Sequence, residues 1–287
     1  MKKHLVYLGY ATAWQIIKFL PENFTYRLGN RAADYVYRKN GKGVRRLRGN
    51  YLQVLGESSN LEKFVQEGIR SYVRYWIDTF RFPKWSREKI ISNVVCEGEN
   101  LLRDPIAKGR GVIVSLPHAG NWDHAGAYFC TTGIPLTTVA EHLEPEKLFK
   151  KFLIYRENIG MEVLDLNSRS IATLSQRARS GKLIALVADR DLSKNGIEVK
   201  LCGETAKFPA GPALLAVQTG AALITAYIRY EGKGIRIIFG PEIPVPESGD
   251  NSSKIAAMTQ KVAERFEIEL KKDPTDWHML QRIWLEP

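Results

Sequence analysis

The apolar positions change their period part-way along the chain. Before about residue 90 they recur at helical spacing: Phe64, Ile69, Val73, Trp76, Ile77 and Phe80 mark a helix over 61–82. Residues 22–55 also read as helical, with a basic face of Arg27, Arg31, Arg38, Lys39, Lys42, Arg45, Arg46 and Arg48. From Val94 onward, short β-branched runs alternate with helical stretches. Strands are predicted over 94–97, 112–116, 136–140, 163–166, 183–188, 222–229 and 234–239. Helices are predicted over 144–159, 168–179, 212–219 and 253–271, with 100–108 a short connection or helix and a polar stretch before residue 212. That alternation predicts an α/β fold, a central, mostly parallel sheet flanked by helices. With no internal repeat or obvious linker, residues 1–287 are expected to form one domain: a helical N-terminal layer over 1–90 and an α/β core over 91–287.

Residues 5–20 are apolar but short. As a helix they would span about 24 Å, less than the roughly 30 Å hydrocarbon core of a bilayer. Lys18 interrupts the run, and Tyr7, Tyr10 and Trp14 are the amphipathic aromatics of a membrane interface. The expectation is a helix lying on or partly in the bilayer. A signal peptide, suggested by Ala11, Thr12 and Ala13, and a buried core helix are the alternatives.

Charge sharpens the picture. Lys and Arg number 42 against 31 Asp and Glu, a formal net charge of +11, which favours anionic partners such as acidic lipid surfaces or phosphate-rich cofactors. No RNP motif, zinc finger or helix-turn-helix pattern accompanies it, so nucleic acid is not expected as a partner. Cys96, Cys130 and Cys202 lie far apart without CxxC spacing, which argues against a disulfide framework and for a reducing compartment.

The candidate chemistry lies in GVIVSLPHAGNWDHAG at 111–126. Pro117 ends an apolar strand, His118 follows, and Asp123 falls in the first turn of a helix with Asn121 as its N-cap. An imidazole suits proton removal near neutral pH, and a carboxylate on its other nitrogen would fix the tautomer. Backbone amides near Gly120 and Asn121 offer a place for an anion or developing oxyanion. A metal site built from His118, Asp123, His124 and His142 is not favoured, because no HExxH spacing puts two imidazoles on one helix face. Ser115 lacks a GxSxG elbow, and Trp277, His278 and Trp284 read as packing residues that close the core.

HAGNWD, preceded by a strand and a proline, resembles the H-x4-D motif of lysophospholipid-type acyltransferases. The chain is more closely similar to the bacterial group that holds the lipid A late acyltransferases and the phosphatidylinositol mannoside acyltransferases. The resemblance extends through RYWIDTFRFP at 74–83, residues 139–164, VADRDL at 187–192, residues 208–224 and DPTDWHMLQRIW at 273–284. The VADRDL and DWHMLQRIW segments favour the mannoside branch, with a lipid A precursor as the alternative acceptor. The resemblance implies acyl-CoA, with palmitoyl-CoA the expected co-substrate, no permanently bound cofactor, and a mannosylated phosphatidylinositol acceptor acylated on the mannose 6-hydroxyl. It implies a peripheral or monotopic enzyme on the cytoplasmic face of the plasma membrane. His118 would be the base, oriented by Asp123, and Asp189 would complete a relay or hold the sugar. Arg156 would meet a phosphate or thioester oxygen, Glu141 and Arg190 would line the substrate site, and Asn195 and Gln218 would sit near the acyl-CoA. A reading from another class is a non-catalytic binder of anionic lipid or nucleic acid working through the basic N-terminal region.

Overall fold

A computed structural model describes residues 14–140, 146–165, 168–191 and 196–285, together with Gly9 and Thr12. The N-terminal layer holds helices α1 (Glu22–Lys39), α2 (Lys42–Leu55) and α3 (Leu61–Arg81). The stretch read as one helical region over 22–55 is divided, because Asn40 turns left-handed at φ 47° and Gly41 restarts the chain as an N-cap. A short helix α4 (Arg87–Ser92), capped by the Ser86 side chain, escaped the periodicity because it spans less than two turns.

The core then runs β1 (Val94–Glu97), α5 (Asn100–Ala107), β2 (Val112–Leu116), α6 (Trp122–Thr131), β3 (Leu136–Ala140), α7 (Glu146–Asn158), β4 (Glu162–Asp165), α8 (Ser168–Arg179) and β5 (Leu183–Val187). The hairpin β6 (Ile197–Leu201) and β7 (Glu204–Phe208), α9 (Gly211–Thr219), β8 (Ala222–Glu231), β9 (Gly234–Phe239) and α10 (Asn251–Lys272) complete it. Seven strands form one sheet in the order β1-β9-β8-β2-β5-β3-β4, parallel at every pairing except β8 with β9. The expected α/β architecture is therefore present. The β6–β7 hairpin lay hidden in the polar stretch: Val199, Leu201, Ala206 and Phe208 turn inward against α10 while Glu198, Lys200 and Glu204 stay in solvent.

The period-two alternation of the central strands sorts two cores. Val112, Val114, Leu116, Leu183, Ile224, Ala226, Ile228 and Phe239 face α6 on one side of the sheet. Ile113, Ile184, Leu186, Leu223 and Tyr227 face the other side, where α8, α9, α10 and the N-terminal layer pack. Trp14 belongs to a third cluster with Phe80, Phe152 and Tyr155, and is 4% exposed. It thus faces protein rather than an interface, while Ile16 and Phe19 on the same helical stretch point outward. Tyr7 and Tyr10 lie outside the described residues. Among the described residues no helix is long and apolar enough to cross a membrane.

Candidate active site

Strand register brings the first two groups together. Leu116 of β2 pairs with Val187 of β5 in the parallel ladder. His118 and Asp189 each stand two residues past those paired ends, at the carboxyl edge where open α/β sheets bind their ligands. His118 Nδ1 lies 2.5 Å from Asp189 Oδ1, and Asp189 Oδ2 accepts from the His118 backbone amide at 3.0 Å and from the Trp277 indole at 2.8 Å. Asp189 is 1% exposed, whereas the His118 side chain keeps 28% of its surface open. Burial works against the Asp189 charge, but the imidazole and the hydrogen bonds to ring, indole and amide prevail and hold its carboxyl below the usual range. An ionised carboxylate only accepts, so it fixes the proton on Nδ1 and leaves the Nε2 lone pair for a substrate. That is the tautomer of a general base.

Asp123 occupies a different place from the one expected of it. Its Oδ1 accepts from Arg156 Nε at 2.8 Å and its Oδ2 from the Tyr75 hydroxyl at 3.1 Å. The Asn121 side chain caps α6 by accepting from the His124 amide, so Asp123 enters the helix one position past Trp122. The Trp122 ring meets the imidazole edge-on at 5.6 Å and stacks on Tyr75 at 4.2 Å. The carboxylate that orients His118 is therefore Asp189, and Asp123 anchors Arg156. Desolvation would lower the Arg156 guanidinium, but Asp123 outweighs it and raises it above its ordinary value. Arg156 is thus engaged in a buried ion pair rather than presented alone to a phosphate.

The other expected residues scatter. Gln218 sits in the last turn of α9, beside Ser175, just ahead of the Ala222–Val112 pairing that opens the sheet. This is the amino edge, opposite His118, and on the sheet face away from α6; the structure does not bring Gln218 to the site. Arg190 follows Asp189 and is half-buried. Glu141, His142 and Asn195 lie outside the described residues. The Gly120 amide donates to the Asp276 carbonyl at 2.8 Å, so it is not available as an oxyanion donor. Glycine is required there, since φ is +58° and a Cβ would stand 2.6 Å from the Ile228 carbonyl oxygen. His124 gives its Nε2 to the Ile90 carbonyl, and burial pushes it down to about 4, a structural imidazole.

Beside the dyad lies a narrow apolar cleft of about 80 Å³ between the sheet and α6. Trp122, Asp123, Arg156, Leu116, Val187, Ala226 and Ile228 stand at or near the His118 level, while Val114, Ala185, Leu183 and Phe129 lie deeper along the strands and α6. Apart from Asp123, Arg156 and Thr138 the lining is apolar, a surface suited to an aliphatic group.

Over residues 1–286 the chain matches the family described as bacterial lipid A biosynthesis acyltransferase. The chain belongs to that family. Curated relatives include a phosphatidylinositol mannoside acyltransferase of Mycolicibacterium smegmatis, 36% identical over 97% of this chain and 91% of the relative. Another, of the same description from Mycobacterium tuberculosis, is 38% identical over 96% of this chain and 88% of the relative. The chain is an acyltransferase. Tyr75 and Trp277 of the acyltransferase were not singled out as site residues from the sequence. Each contributes one long-range hydrogen bond to a carboxylate, and no local pattern announces such a bond.

Proposed function

We propose that the acyltransferase moves a long acyl chain, palmitoyl or one similar, from acyl-CoA to the mannose 6-hydroxyl of a phosphatidylinositol mannoside. The observation that carries this reading is the His118–Asp189 dyad, two residues past Leu116 and Val187, which line the apolar cleft. His118 Nε2 removes the proton of the acceptor hydroxyl, and the alkoxide attacks the thioester directly. The C–O ester bond forms as the C–S bond breaks, and CoA leaves as a thiol carrying the proton from the imidazolium. Asp189 stays ionised and stabilises the imidazolium while it exists. Pairing of Asp123 with Arg156 fixes the wall beside the reacting centre. The printed descriptions of the relatives support the acceptor, and the basic N-terminal layer supports work at an anionic lipid surface on the cytoplasmic face. On α1, Phe24, Leu28, Tyr35 and Val36 are exposed beside Arg27, Arg31 and Arg38, a pattern suited to lying in a headgroup layer.

The test is incubation of purified protein with radiolabelled palmitoyl-CoA and, separately, phosphatidylinositol mannosides with one or two mannoses and a lipid A precursor. Acylated mannolipid from wild type and none from His118→Ala, with vesicle binding retained, is the expected result. Label entering the lipid A precursor alone would overturn the acceptor, and full turnover by His118→Ala would overturn the base.

A further inference from the structure

The segment after α10 runs across the site rather than merely covering the core. Trp277 forms an antiparallel bridge with Ala119, the His278 amide donates to the His118 carbonyl at 2.8 Å, and Gly120 donates to Asp276. That strap is fastened from behind. The Tyr51 hydroxyl donates to the carbonyls of Thr275 and Trp277, Ser71 donates to Asp276 Oδ1, and the Tyr230 amide donates to Asp276 Oδ2. Trp277 itself is 0% exposed. A buried indole needs a partner for its N–H, and here the partner is the Asp189 carboxylate at 2.8 Å.

We propose that Trp277 is a positioning residue of the acyltransferase: its indole N–H locks the Asp189 carboxylate so that Oδ1 is presented to His118 Nδ1. The inference rests on the reading of His118 as the base. The geometry separates it from packing alone. Asp189 Oδ2 is occupied by two donors, the His118 amide and the indole, and those two bonds fix the rotation of the carboxylate about its Cβ–Cγ bond. Without the indole donor the carboxylate is held by His118 alone, through its amide and its ring, and the buried charge loses one of its three hydrogen bonds. The remaining charge is then drawn more strongly to the imidazolium. Other titratable groups around the dyad are His278 and Asp276 on the strap, the Asp123–Arg156 pair behind Trp122, and Arg190 and Asp191 next in the chain. None of them is replaced in a variant at Trp277.

Two variants test it: Trp277→Phe, and site-specific replacement of Trp277 by 3-benzothienylalanine, which keeps the bicyclic shape and removes only the N–H. Both are expected to lose about tenfold to a hundredfold in kcat, the loss of one hydrogen bond to a buried charge. KM for palmitoyl-CoA should stay within about twofold, and the acidic limb of the kcat/KM profile should move to higher pH, since His118 keeps its proton longer. His118→Ala is assayed alongside. If it is fully active, the base reading fails and takes this inference with it. If it is inactive while the folded benzothienyl variant keeps wild-type kcat and the wild-type pH limb, the base stands and the assignment to Trp277 is overturned. A kcat loss that only follows a loss of folded protein, with the limb unmoved, overturns it equally.

Discussion

Replacing Asp189 by Asn changes one atom and removes a charge, and the surroundings dictate how the amide must sit. At the Asp189 Oδ2 position two N–H groups arrive, from the His118 backbone and the Trp277 indole, at 3.0 and 2.8 Å. At the Oδ1 position, among the described residues, the His118 ring nitrogen is the partner. The Asn carbonyl oxygen therefore belongs with the two donors. Turned the other way, its NH2 would confront both, leaving two buried donors unsatisfied at about 1–3 kcal/mol each. In the favoured orientation the NH2 faces Nδ1, which must then accept, and the ring proton moves to Nε2. The nitrogen that should take the substrate proton already carries one.

Reaching the competent tautomer thus costs about 2–6 kcal/mol, or about 30-fold to 10⁴-fold in rate. Loss of the negative charge beside the developing imidazolium pushes toward the upper end, where the corresponding exchange in a Ser-His-Asp triad falls, at about 10⁴-fold. The assay is initial-rate release of CoA thiol from palmitoyl-CoA with mannolipid acceptor, across pH, with thermal unfolding as the folding control. A kcat lowered about 10²-fold to 10⁴-fold is expected, with any residual activity showing an acidic limb at lower pH because the imidazolium has lost its counter-charge. The Trp277 variants move the same limb upward, so the two perturbations are distinguished by sign. Asp189→Asn retaining kcat within about tenfold and an unmoved limb would refute the reasoning.

Three further outcomes follow from the same structure. Ala185 pairs with Val114, two residues down the strands from Leu116, and lines the cleft; Ala185→Phe should shorten the chain accommodated, lowering kcat/KM for palmitoyl-CoA more than for decanoyl-CoA, and an unchanged ratio would remove the cleft as the acyl site. Arg156→Met leaves the buried Asp123 carboxylate without its cation and should destabilise by about 3–5 kcal/mol, whereas adding Asp123→Asn should recover much of the loss in a denaturant double-mutant cycle; equal losses in the single and double variants contradict the pairing. Burial pushes His278 down to about 3 and His124 down to about 4. Both are neutral in the fold, so the unfolded chain takes up protons first as pH falls below the ordinary value near 6.5. Stability is complete above that pH and is lost on descending toward 4 and 3, by about 2 kcal/mol for each imidazole at pH 5. His124→Gln, which keeps a donor for the Ile90 carbonyl, should roughly halve the drop in denaturant midpoint between pH 7.5 and 5, and an undiminished drop would place the acid sensitivity elsewhere.

How far the sequence could carry these arguments depends on the reach of each interaction. The strands over 112–116 and 183–187, the Asn121 cap and the terminal helix were legible because burial alternation and capping act within a few residues. His118 and Asp123 were both visible at one strand-to-helix junction, and their closeness in sequence invited pairing them. Register decides otherwise. Once Leu116 lies beside Val187, the chain position two past each strand end is shared, and it is Asp189 that meets the ring. Asp123, one residue into α6, is carried by the helix toward Tyr75 and Arg156 instead. The hairpin at 197–208 was hidden because its solvent-facing charges gave the stretch a polar appearance, although the inward positions alternate as any half-buried strand does. Trp277 was hidden more deeply still, since a tryptophan that packs and a tryptophan that steers a carboxylate have the same sequence. Only the 2.8 Å approach of its nitrogen to Asp189 distinguishes them. The arrangement around His118 is therefore assembled from three distant segments, at 118, 189 and 277, which the parallel ladder and the C-terminal strap bring together.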